Sequence, residues 1–330
     1  MNIYITLDYE LFFSPDHGSV DKCLIDPTNE LAALADRYKV KLVFFVDAGF
    51  LVKLNEYRAR FQELENDWNK VKEQLQRLSS SGHQIQLHIH PHWEDSFYDG
   101  KQWQINIKRY KLADFSPEEI EDIVFRYKKI LEDIIDKKVF AYRAGGWCIQ
   151  PFDKIGSALK NNDVWLDSTI YRNGLHLSKA HYYDFRKAPN KFVWKFENDP
   201  LVENDAGFFT EIPISFQSIS PFFYWKMYLL MRFMPNKYKP VGDGMYIKDK
   251  KRIYTSFFYS SDHTVSIDGY FASLLNKAIK KYVQKNAVHF VIIGHPKSLA
   301  PYSFLKLETF IKKNIKKHQF TTFEVLQNSH

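Results

Sequence analysis

Between Gly82 and Trp93 the chain reads Gly-His-Gln-Ile-Gln-Leu-His-Ile-His-Pro-His-Trp, so His83, His88, His90 and His92 fall within ten residues. The whole chain has 12 histidines, and composition alone does not produce so tight a cluster. Neutral imidazole is the commonest protein ligand for zinc and its neighbours in the transition series. A helix-like segment, Trp68 to Leu78, and a Ser-Ser-Ser-Gly stop precede the cluster, which therefore reads as a strand running into a loop. Two or three of these imidazoles meeting at a strand end could hold one divalent ion. A histidine-rich loop that binds nothing is the plain alternative.

The elements that must position such a site alternate along the chain. Ile3–Leu7, Val40–Val46, Gln84–His88, Val139–Arg143, Val164–Leu166 and Phe290–Ile293 read as strands. Thr28–Arg37, one long helix over Tyr57–Leu78, a helix from Ser116 to about Ile134, and Phe152–Asn161 lie between them. Ser116-Pro117-Glu118-Glu119 supplies a cap, a proline at the first helical position and a capping-box glutamate. Thr210–Ile214 reads as a strand in an edge or terminal position because of Pro213, and Ser261–Val283 as a helical region. This βαβα rhythm predicts a parallel α/β fold, with a barrel favoured over an open sheet. One domain spans residues 1–330, with an inserted aromatic helical segment near 216–260. Chemistry in such barrels gathers at the C-terminal strand ends. Polar residues sit there: Asp8 and Glu10, Asp47, the histidines, Arg143, Asp167 and His295. Unpaired polar groups at so many strand ends are costly unless function needs them.

Composition bounds the partners. The net charge of +7 is spread over the chain, with denser runs at Lys248–Arg252 and Lys312–Lys317. No stripe of Arg and aromatics suits nucleic acid. Attraction to an anionic membrane surface or to a phosphate-bearing substrate remains, beside a simply solvated face. Cys23 and Cys148 make no disulfide framework. The first residues enter a strand pattern without a signal-peptide profile, and no run of about 20 apolar residues spans a bilayer. A cytoplasmic protein, at most peripheral to the inner membrane, is expected. Ser220–Met234 is apolar nearly all round. It suits a buried helix, a helix in the membrane interface or a lid.

Taken in order, these motifs resemble the polysaccharide deacetylases, the NodB-like carbohydrate esterases, over roughly residues 1–300. The family's acidic first motif corresponds to Thr6-Leu7-Asp8-Tyr9-Glu10, and its His-x-x-x-His motif to His88-Ile89-His90-Pro91-His92 after Gly82-His83-Gln84-Ile85. Its arginine motif corresponds to Arg143-Ala144-Gly145-Gly146-Trp147, without the usual proline. Its closing histidine corresponds to Val291-Ile292-Ile293-Gly294-His295-Pro296, in the His-Pro form of a divergent branch. The resemblance implies a distorted (β/α) barrel and hydrolysis of an acyl group on a sugar with one divalent ion, zinc in the first instance, with cobalt, iron or nickel also fitting. It implies His88 and His92 as metal ligands with an acid from the first motif. Tyr9 stands where the usual metal-binding Asp would be. Residues i and i+2 of a strand point the same way, so Asp8 and Glu10 can face the site together. Asp8 is assigned as general base and Glu10 as ligand, and the reverse assignment stays open. Arg143 would tune the base, and His295 would protonate the leaving amine. Asp167 pairs with Arg143 or His295, or is a turn residue. Trp93 and Trp147 could pack on a sugar ring or belong to the core. His90 could be an extra ligand or a substrate contact, with a surface position the default.

The leading function is a carbohydrate deacetylase acting on a nucleotide-linked or lipid-linked sugar made during O-antigen or capsule synthesis. A metal-independent amide hydrolase or deformylase of the same fold is the second expectation. A catalytically inactive sugar-binding or assembly protein is the third.

Overall fold

A computed structural model describes residues 1–246 and 250–329. The side chains of the basic run Lys248–Arg252 lie outside the described set.

Five strands, β1 (Asn2–Tyr9), β2 (Val43–Asp47), β3 (Gln84–Ile89), β4 (Ala141–Ala144) and β5 (Leu166–Asp167), lie side by side, all parallel and in chain order. Every residue of β2, β3, β4 and β5 is buried. β2 in particular is the near-continuous apolar run that a sheet covered on both faces requires. A short antiparallel edge strand, β6 (Trp194–Phe196), pairs with β7 (Phe209–Glu211), which runs parallel to β5. A separate antiparallel ribbon joins β8 (Phe216–Ile219) to β9 (Ser261–Thr264). On the far flank, β1 pairs with β10 (His289–Gly294) and, at its start, with β11 (Gln319–Phe320).

The sheet curls into a half-barrel, in agreement with the expected distorted (β/α) barrel. Irregular backbone spans the remaining gap between β7 and β10. Ser215 N–H donates to the carbonyl of Val291 at 3.0 Å, Ile293 N–H to Val265 at 3.0 Å, and Ile267 N–H to Ile293 at 3.0 Å. Residues 261–268 were expected to open a helix, but they run extended through β9 and this closure. Thr264 to Ile267 are all buried, and their backbone groups pair with Ser215 and Ile293 rather than with a turn of their own, as a helix would require. The helical part begins at Gly269, with a 3-10 turn to Leu274.

Helices cover the sheet: α1 (Asp26–Arg37), α2 (Ala48–Tyr57), α3 (Gln62–Ser80), α4 (Pro117–Ile135), α5 (Gly156–Asn161), α7 (Leu275–Gln284) and α8 (Pro301–Asn314), while α6 (Pro221–Phe233) packs on a separate small cluster with Tyr238, Tyr270 and Tyr302. In α3 the apolar residues Leu64, Trp68, Val71, Leu75 and Leu78 are buried at the three- and four-residue spacing of one helical face. The single helix expected over Tyr57–Leu78 is in fact split. Phe61 is extended (φ −135°, ψ 115°), and Glu63 and Glu65 then suit a new N-terminus electrostatically. The capping box of α4 forms as read: Glu119 N–H donates to Ser116 Oγ at 3.2 Å, and Ser116 N–H to Glu119 Oε2 at 2.8 Å. In α6 only Phe223 and Tyr224 are buried, so it is not the buried helix that its composition allowed.

Candidate active site

Asp8 lies in β1 and Glu10 just beyond it, and both are buried. They face the same side: Nε2 of His88 lies 3.1 Å from Glu10 Oε2 and 4.0 Å from Asp8 Oδ2. Tyr9 points the other way and donates its hydroxyl to Gln74 Oε1 of α3 at 2.8 Å. The strand alternation therefore works as expected.

His88 is in β3, and His90, still extended, follows its last residue. Both imidazoles thus project to Glu10. His90 Nε2 lies 2.6 Å from Glu10 Oε2 and 3.0 Å from His88 Nε2. Glu10, His88 and His90 form the candidate metal cluster among the described residues. Donor atoms around one small tetrahedral ion stand about 3.4 Å apart, close to this spacing. His88 Nδ1 donates to the carbonyl of Arg143 at 2.8 Å. That bond fixes the tautomer and leaves the Nε2 lone pair facing the cluster, as ligating histidines require. The donor set fits a divalent transition ion. His90 Nδ1 has no hydrogen-bond partner among the described residues.

His92, named by the resemblance as a ligand, is outside this cluster. It sits in the 3-10 turn Pro91–Asp95, which breaks the two-residue alternation and turns the ring aside. It stacks between Trp93 and Tyr110, and neither ring nitrogen has a partner among the described residues. Burial drives its pKa well below the ordinary value, so the ring is neutral. His90 is buried rather than at the surface, and burial lowers its pKa to about 4.

Each carboxylate has its own cation. Arg143 Nη1 donates to Asp8 Oδ1 at 2.6 Å and to Thr6 Oγ1 at 2.9 Å, and its Nε donates to the Ser168 carbonyl at 2.7 Å. The guanidinium also lies 4.1 Å over the Phe45 ring. Lys297, two residues after His295, places Nζ 2.8 Å from Glu10 Oε1 and 2.6 Å from the Leu11 carbonyl. Burial alone would raise the Glu10 pKa, but Lys297 and the two histidines outweigh it and hold the carboxyl well below its ordinary value.

His295 follows β10, and its Nε2 lies 3.7 Å from Asp8 Oδ2. Asp268, from the irregular closure, accepts from His295 Nδ1 at 2.8 Å and from its backbone N–H at 2.8 Å. Burial works against protonation of this ring, but Asp268, then Asp8 and Glu10, raise its pKa to about 9.

Asp167 pairs with neither Arg143 nor His295. It accepts from Thr169 N–H at 3.0 Å and from Thr169 Oγ1 at 2.7 Å, beside Glu211. It is the last residue of β5, and its carboxylate holds the turn that follows onto Thr169, close to the turn role also open from sequence. Burial first, and Asp167 second, push the Glu211 carboxyl well above its ordinary value. Trp93 is fully buried and donates to Asp47 Oδ2 at 2.6 Å, which makes it core rather than a sugar platform. Burial raises the Asp47 pKa to about 7. Trp147 is half-buried against Tyr171 and Tyr183.

Sequence reasoning missed Lys297, Asp268 and Tyr110. A lysine directly after His-Pro at a strand end was a usable signal for the first. Asp268 has no local signal, because irregular backbone brings it to His295.

No family model and no curated protein matches the chain. Solved structures do. A protein from Mycobacterium smegmatis provisionally described as a polysaccharide deacetylase is similar at a TM-score of 0.52 and 12% identity, over 99% of this chain and 89% of that one. The structure of PuuE allantoinase is similar at a TM-score of 0.53 and 10% identity, again over 99% and 89%. At such identities the likeness is one of fold, and the chain has the polysaccharide deacetylase fold.

Proposed function

We propose that this protein is a metal-dependent hydrolase that removes an N-acyl group, acetyl in the first instance, from a sugar. One observation carries the proposal. Glu10, His88 and His90 converge on one point, with the Asp8–Arg143 pair and the His295–Asp268 pair flanking it. A divalent ion there would polarise the acyl carbonyl and acidify water. Asp8, fixed by Arg143, takes the proton of the attacking water. His295, held by Asp268 with Nε2 toward the site, gives a proton to the departing amine. The C–N bond breaks, a C–O bond forms, and the products are a carboxylic acid and the amino sugar.

The fold shared with the Mycobacterium smegmatis protein favours a carbohydrate substrate. The basic balance of the chain suits a phosphate-bearing carrier, nucleotide-linked or lipid-linked. A precursor of O-antigen or capsule, handled in the cytoplasm, meets that description.

Lys297 favours a second reading, amide hydrolysis without metal. Its ammonium already supplies a positive charge against Glu10, and the fold also carries an allantoinase.

Elemental analysis of the purified chain and of a His88→Ala, His90→Ala double variant decides between them. Close to one equivalent in the first and almost none in the second supports the metal site, and acylated sugar nucleotides are then screened for amine release. No metal in either after reconstitution with zinc or cobalt overturns the metal-dependent proposal.

A further inference from the structure

The excursion between β8 and β9 carries an apolar face that stays exposed among the described residues. Its helix α6 is fastened near its start, where Phe223 stacks on Tyr270 at 5.0 Å and the Tyr224 hydroxyl lies 3.0 Å from Ser261 Oγ. Met227, Leu230 and Met231 pack inward with Phe223 and Tyr224. The opposite stripe faces outward: Phe222 is 74% exposed and Phe233 72%, with Trp225 and Leu229 between them. Trp225 packs on Phe257 at 4.7 Å, which extends the patch to the exposed Tyr254 and Phe258.

Charge along the α6 part of this face has one sign, with Asp262 of β9 at its far end. Lys226, Arg232, Lys237 and Lys239 are exposed along it, and no Asp or Glu occurs from Ile212 through Gly242. A protein partner buried on aromatics would leave these cations at an uncompensated rim. A bilayer of anionic lipid accepts both parts, rings at the headgroup level and cations at the phosphates. No described helix is long and apolar enough to cross a membrane, so contact would be in the interface plane.

The same excursion returns along the candidate site. Val241 N–H donates to the Leu299 carbonyl at 2.8 Å and Gly242 N–H to Lys297 at 3.1 Å. A Cβ on Gly242 would stand 2.5 Å from the Lys297 oxygen, so only glycine permits this approach. Tyr246 then packs edge-on against Phe12, whose ring also lies under the Lys297 ammonium.

We infer that the aromatic and basic face of α6 and residues 253–259 docks this protein on an anionic membrane surface. The site would thereby meet acylated sugars carried on lipid; that further step rests on the hydrolase reading, and the docking does not.

The test is flotation of the full chain with vesicles of phosphatidylcholine alone and with phosphatidylglycerol added. Binding is expected with phosphatidylglycerol only, weakening as salt rises. A triple variant, Phe222→Ser, Leu229→Ser, Phe233→Ser, should lose about tenfold or more in vesicle affinity, while Phe125→Ser, an exposed change on α4, should lose none. Unchanged near-ultraviolet circular dichroism in the triple variant establishes that it is folded. The His88→Ala, His90→Ala variant should still bind, which separates docking from hydrolysis. No vesicle binding, equal binding to both compositions, or full binding by the triple variant overturns the inference. So does a concentration-dependent dimer in sedimentation velocity that the triple variant abolishes, which would give the face to a second copy.

Discussion

Lys297 places its ammonium 2.8 Å from Oε1 of Glu10, and both side chains are buried. The other oxygen, Oε2, is left to face His88 and His90. The lysine therefore both neutralises the carboxylate and orients it.

Removing that cation leaves an uncompensated buried charge. Lys297→Met should lower the unfolding free energy of the metal-free protein by about 3–5 kcal/mol, measured by urea denaturation. Added zinc should restore part of the loss by binding only the folded state. A variant as stable as the parent would remove the orienting role.

The histidines differ in what they can hold. His90→Ala should weaken zinc binding at least about 100-fold in a chelator competition, whereas His92→Ala should leave it within a few fold. The reverse ranking would return the ligand role to the histidine named by the sequence resemblance.

Asp268 acts through His295. Asp268→Asn should bring the His295 pKa down from about 9, read from the ring proton by NMR titration. If His295 is the acid, kcat should fall about 100-fold or more with KM little changed. An unmoved titration would show that Asp268 does not set the protonation of His295.

A pH effect on stability is expected away from the site. His83 accepts a hydrogen bond from Leu42 N–H at 3.1 Å, and burial depresses its pKa to about 4. The unfolded ring titrates near 6.5, so between these values the unfolded chain binds more protons. Stability is thus complete above pH 6.5 and lost as pH falls toward 4, by about 3 kcal/mol for this ring. His83→Asn should flatten that slope in denaturation curves taken from pH 7 to 4.

The residues that were legible in the sequence carry strong local signals. β1 and β10 are mostly apolar runs leading to Asp8 and His295, β3 alternates polar and apolar residues up to His88, and Ser116-Pro117 announces α4. The alternation rule placed Asp8 and Glu10 together. It applied equally to His88 and His90, and the surface default for His90 failed because the strand geometry continues one residue past β3. The break at 58–61 carries no glycine or proline, so a helical period ran through it. Asp268 and the closing backbone were hidden because their pairing with β10 is non-local and irregular. The exposure of α6 was open from sequence, since an all-round apolar helix fits a core or an interface equally well.

Arg143 binds Thr6 and Asp8 on β1, Ser168 after β5 and the ring of Phe45 on β2, all from β4. It is a rivet through four strands as well as a partner of the base. A descendant that gave up hydrolysis would still need it to stay folded, and so would keep Asp8 beside it. The partly accessible His295–Asp268 pair has no such second duty. Among related chains, loss of that pair would mark the fading of catalysis, while persistence of the Arg143–Asp8 pair would say nothing about it.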